Sequence, residues 1–147
     1  MRSFLASALG FGLLFNGLIM FAIPAAWYAN IPGVAETGPF NAHFVRDIGA
    51  AYLVAAAALI WFAASPKAQS AVQAGAAFLT LHALVHLWDA VAGREHAHQL
   101  IDLATVFLPS VLAIWIAWPA HQRYRGETHD QMVVATKDRG VRAGVEL

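Results

Sequence analysis

Four apolar stretches, each close to the length of a membrane helix, constrain this chain more than anything else in it. They cover about residues 3–24, 44–64, 71–92 and 100–118, and roughly 20 apolar residues are enough for one span. The third carries the ionisable groups that give the sequence its character. In LHALVHLWDA, His82, His86 and Asp89 follow one another at spacings of four and three. At roughly 100° per residue the three side chains fall within about 60° of one another, on one stripe of one helix. After GREHAHQ, His98 and Asp102 repeat the i, i+4 spacing at the start of the fourth stretch. A polar group inside a membrane span carries a large desolvation cost, so it needs partners and marks function.

The 147 residues allow one domain. Hydrophobic residues make up 59% of the chain and charged residues 12%, against about 25% charged in a soluble domain, so the class expected is a small integral membrane protein. The formal net charge is zero, which gives no footing for nucleic acid. The chain has no cysteine, which excludes disulfides, thiolate metal sites and thiol redox chemistry, and leaves seven histidines as the main potential metal ligands.

The first stretch follows Arg2 and is closed by Pro24; Asn16 is its one strongly polar interior residue, with Gly10, Gly12 and Gly17 as small residues that permit close helix contact. A cleavable signal peptide is the competing reading, because IPAA offers small residues near a cut, although the run is longer than a typical signal core. The connection NIPGVAETGPFNAH is rich in turn formers and is expected to fold over the end of a bundle as a cap, with Trp27, Tyr28 and Phe40 at a membrane interface. The second stretch opens with Arg46 and Asp47, SPKAQS makes a tight polar turn, and Pro109 is expected to kink the fourth helix or free a carbonyl. Residues 119–147 read as a solvated polar tail.

Arg2, Lys67, Arg123 and Arg125 fall on one side of a four-span path and Arg94 alone on the other. The positive-inside rule then puts both termini in the cytoplasm. With that topology Asp89, His86 and His82 sit about 6, 10 and 16 Å from the outer end of the third span at 1.5 Å per residue. Arg46, Asp47, His98 and Asp102 lie in the same outer half, whereas the inner half holds almost no ionisable group.

Each of these residues has a plain reading beside the sharp one. Arg46 and Asp47 can pair with Asp102 or Asp89 and pin helices together; an intramembrane histidine can simply bond a neighbouring helix, and Asn16 can act as helix glue. The sharp readings are three. In the first, His82, His86, Asp89, His98 and Asp102 hold a divalent metal (zinc, iron or copper), or histidines from two helices hold haem b. Arg46, Asp47 and Asn16 then orient a ligand or compensate charge. In the second, a buried histidine and carboxylate carry out acid–base or redox chemistry on a quinone- or isoprenoid-like lipid. In the third, the polar stripe docks another membrane subunit or a second copy of the chain.

Four short spans, a glycine-rich first helix and polar residues at the outer helix ends resemble the DoxX-like group of small bacterial four-helix membrane proteins, and HFVRDIGAAYL, residues 43–53, resembles a stretch that recurs among such proteins. The resemblance implies a bacterial inner-membrane bundle and, by the group's association, quinone-coupled redox work. It carries no residue role. The expectation is thus an all-α four-transmembrane-helix bundle over residues 1–118, with a polar chamber beneath its outer surface that binds a metal ion or a small amphiphile.

Overall fold

Glycine decides how the first two long helices meet. The computed structural model describes residues 1–93 and 99–119. In it α1 (Arg2–Ala22) lies along α3 (Ala42–Ala64), the most extensive helix pairing in the fold. Buried positions on α1 run Ala6, Gly10, Leu13, Gly17 and Met20, alternating steps of four and three, which is the narrow seam of two helices packed side by side. A Cβ on Gly17 would stand 3.0 Å from the Gly49 carbonyl oxygen, and one on Gly49 would stand 2.9 Å from the Met20 Cβ. Only a hydrogen at both positions allows this approach.

A short helix, α2 (Pro24–Asn30), turns the chain at the end of α1, with Pro24 at its first position, where a missing N–H costs nothing. Gly33, at φ 84°, takes the left-handed backbone that the Pro-Gly turn requires. Residues 31–41 then cross the end of the bundle. Tyr28 holds this cap closed: its hydroxyl donates to the Gly38 carbonyl, with the Ala35 carbonyl 3.3 Å away, and its ring lies 5.2 Å from that of Phe40. Asn41 caps α3 by accepting from the backbone N–H of His43 (3.0 Å) and Phe44 (3.2 Å).

α4 (Gln69–Val91) packs on α3, with Gly75 against Ala55 and Ala58. A last helical stretch runs without a break from Gln99 to Ala117: one α-turn, α5 (Gln99–Asp102), a π segment (Leu103–Phe107) and α6 (Leu108–Ala117). The widening follows from Pro109. It has no N–H, and just before it the ladder shifts register, so that Leu108 N–H bonds the Leu103 carbonyl.

The far end is closed by side chains on helix carbonyls. Arg2 donates to the Ile116 and Trp118 carbonyls, and Gln69 Nε2 donates to Ala117 at 2.6 Å. The Arg2 guanidinium also lies 5.9 Å from the Phe62 ring centre and 5.8 Å from that of Trp115. A cation on the orphan carbonyls of a helix C-terminus is favoured twice, by hydrogen bonding and by the helix dipole.

All regular structure among the described residues is helical. Three helical stretches, Arg2–Ala22, Ala42–Ala64 and Pro66–Val91, are long and apolar enough to cross a membrane. The fourth apolar segment, Leu103–Ala117, is shorter. The outward faces are apolar too: Phe4, Phe15, Val54, Val85 and Trp88 are all exposed, an arrangement that suits lipid and not water.

Candidate functional site

The core thins toward the cap. On α4 the fully buried positions end at Ala83, and none of Leu103–Phe107 is buried. The space left between α1, α3, α4, the last helix and the cap is a cavity of about 870 Å³, within the range of small-molecule sites. Its walls are mostly apolar.

Helical spacing sets which polar groups enter it. The inward stripe of α4 runs Val72, Ala76, Leu79 and Ala83; His82 and His86 continue that stripe toward the cap, and both line the cavity. His86 Nδ1 is 3.3 Å from an Asp102 carboxylate oxygen across the gap to the last helix. The two imidazoles meet edge to face, 5.0 Å between centres. On its other side His82 stacks at 25° on Phe78, 6.0 Å away, and takes the Tyr52 ring edge-on at 5.6 Å. Asp102, His86, His82 and Tyr52 therefore form one row from the last helix through α4 to α3. Among the described residues His82 has these ring contacts and no hydrogen bond. A neutral imidazole always carries one N–H donor and one nitrogen acceptor, and leaving either unmet away from water costs about 1–3 kcal/mol. His82 is only half-buried, and it opens on the chamber it lines.

Asn16 enters from α1 on another wall. Its side-chain oxygen accepts from Trp27 Nε1 at 3.0 Å, and its amide nitrogen lies 3.5 Å from the Met20 sulfur. Helix glue is thus one of its roles, but the partner is the indole of α2 and not another span. Trp27, expected at a membrane interface, has its polar atom turned to Asn16.

Three of the residues singled out from sequence go elsewhere. Arg46 is exposed and its Nε donates to the Phe21 carbonyl at 3.1 Å, capping the open end of α1. Asp47 pairs with His43 one turn away at 3.3 Å, and both side chains are mostly solvent-exposed. The reason is register: Val45, Gly49 and Tyr52 take the inward face of α3, and positions 46 and 47 are rotated away from it by about 100° and 200°. The pins that Arg46 and Asp47 were expected to form with Asp89 or Asp102 are replaced by these contacts. Asp89 is half-buried, and it is not among the described residues that line the cavity. His98 lies outside the described residues, as does the polar tail beyond Pro119.

Among the described residues no three histidine, aspartate or glutamate side chains gather as a metal-sized group. His82 and His86 stand side by side on one helix, and no other described histidine lines the cavity, so a haem held between two helices would need a second ligand from outside the described lining. What the described row offers chemically is a hydrogen-bonding head site: an imidazole that can donate and accept, beside the His86–Asp102 pair. Tyr52 is the member of that row that the sequence reading missed. Its signal was present, because position 52 shares the inward stripe of α3 with Val45 and Gly49. No protein-family model, curated protein or solved structure matches this chain.

Proposed function

We propose that this protein is a bacterial inner-membrane four-helix bundle, both termini cytoplasmic, that binds a small amphiphilic molecule in the chamber beneath its outer surface. The last helical stretch, Gln99 to Ala117, serves as the fourth span, and the resemblance of the sequence layout to DoxX-like proteins suggests the same setting. The observation that carries the ligand reading is His82: a half-buried imidazole, without a hydrogen bond among the described residues, on the wall of a mostly apolar cavity of about 870 Å³. His82 recognises the head of the ligand, the His86–Asp102 pair beside it adds polarity to that end of the chamber, and the apolar walls hold the rest. Proton transfer to a bound quinone- or isoprenoid-like lipid is the chemistry such a row would support.

The test is to purify the full chain from membranes in mild detergent and identify co-extracted small molecules by mass spectrometry. An apolar compound close to one per chain is expected. It is lost in His82→Phe, which keeps the ring stack on Phe78, and retained in Arg46→Ala. Equal yields from wild type and His82→Phe would overturn the reading. Stoichiometric zinc, iron or copper that disappears in His98→Ala would replace it with the metal site.

A further inference from the structure

One wall of the chamber is incomplete. α1 packs against α6 near Arg2, but it makes no comparable packing with the π segment Leu103–Phe107 above it. Ala8 and Gly12 on α1, and Thr105 across from them, line the cavity and are exposed at the same time. A Cβ on Gly12 would meet no atom within 4 Å, in contrast to Gly10 and Gly17 on the buried side of the same helix. The side chains flanking this gap on the outer surface, Phe11, Phe15 and Leu108, are exposed and apolar. The opening faces the direction in which the bundle presents its lipid-compatible surface.

The charges on the wall are one-sided. Asp102 and Glu36 line the cavity, and no lysine or arginine does so among the described residues. An anionic head would meet the Asp102 carboxylate in an apolar surrounding, with no lysine or arginine among the described lining residues to receive it, which is costly. A cationic head would compete with His86 for Asp102 and bring its own desolvation cost. A hydroxyl or carbonyl has neither difficulty and matches the donor and acceptor of His82.

Resting on the binding reading above, we propose that the ligand enters sideways from the bilayer between α1 and the π segment, with Gly12 and Thr105 as the two edges of the doorway, and that it is a single-chain amphiphile with an uncharged hydroxyl or carbonyl head. The absence of native cysteine makes the doorway directly testable. Gly12→Cys/Thr105→Cys in the full chain, bridged by a reducible bifunctional thiol reagent, closes it; reduction reopens it in the same molecules, so misfolding cannot imitate the result. The probes are 12-bromododecan-1-ol, 12-bromododecylammonium and 12-bromododecyl phosphate, presented in phosphatidylcholine nanodiscs and counted on the protein by native mass spectrometry.

The alcohol is expected to bind saturably at about one per chain, at least ten-fold better than either charged analogue. Bridging should lower its loading at a fixed time at least ten-fold, and reduction should restore it. A bridged chain that loads as fast as the reduced one overturns the lateral route and leaves the binding reading intact. Equal or tighter binding of the phosphate or the ammonium overturns the uncharged head. Saturable binding of none of the three by wild type overturns the binding reading itself, and the doorway with it.

Discussion

His86 on α4 and Asp102 on the last helix are joined by a 3.3 Å contact between Nδ1 and a carboxylate oxygen, and both side chains are mostly buried, at 24% and 19% exposure. It is a polar link between these two elements at the cap end, where apolar packing has thinned. A polar contact between helices in a membrane-like interior is typically worth about 0.5–2 kcal/mol. In a double-mutant cycle, His86→Leu and Asp102→Leu should each destabilise the bundle and show a coupling of that size, measured by denaturation in mixed micelles. Coupling near zero would mean that the pair does not tie the helices together.

The α1–α3 seam predicts a contrast between the glycines within it, Gly17 on α1 and Gly49 on α3, and Gly12 outside it. Gly49→Leu and Gly17→Leu drive carbon into backbone and Met20, where a Cβ alone already reaches 2.9–3.0 Å; a loss of roughly 1–3 kcal/mol or more is expected from overpacking. Gly12→Ala meets open space and should be neutral or stabilising by about 0.5–1 kcal/mol through helix propensity. Thermal denaturation of the three variants separates the cases. Equal sensitivity at positions 12 and 49 would contradict the seam.

Arg2 holds the end of α6 by two carbonyls while Gln69 takes a third. Arg2→Ala should cost about 1.5–3 kcal/mol, the range for hydrogen bonds to a charged group, and Arg2→Lys should recover part of it, because an ammonium lacks the guanidinium fork. Hydrogen exchange of the amides that follow Ala113 is the direct readout, and it should speed up in Arg2→Ala while α3 stays protected.

Pro109→Ala returns an N–H to the last helix. The ladder can then close as a regular α-helix through Leu103–Phe107, with a gain of up to about 3 kcal/mol. Exchange protection should rise across residues 103–110. Because Thr105 and Val106 are on the cavity wall, the same change should reduce probe loading. Unaltered exchange would show that the widened turn is held by the neighbouring helices and not by the proline.

Much of the helical layout can be read directly along the chain, because runs of apolar residues about twenty long, punctuated by Pro24, Pro32-Gly33 and SPKAQS, have little alternative to helix and turn. The cap was legible from its turn formers for the same reason. Part of the site was legible too: the spacing of His82 and His86 puts both on one face of α4, and that face proved to be the inward one. Arg46 and Asp47 were misjudged because depth along a helix is visible in sequence while rotation about it is not. Helical spacing puts Tyr52 on the inward stripe of α3 with Val45 and Gly49, but that its ring meets His82 depends on how α3 and α4 pack.

Composition and hydropathy alone therefore settle that the chain is helical and apolar on its outside, since backbone hydrogen bonds must be met within each segment wherever lipid replaces water. They also settle that its few intrahelical titratable groups are costly enough to require partners. Which partners they take was decided in three dimensions. The glycine seam fixes the rotation of α1 against α3, that rotation sends Arg46 and Asp47 outward and Tyr52 inward, and the widened turn before Pro109 keeps the last helix clear of α1. The chamber exists because the last helix, in contact with α1 near Arg2, parts from it toward the cap while α1 and α3 stay closely packed, and no single stretch of sequence contains that divergence.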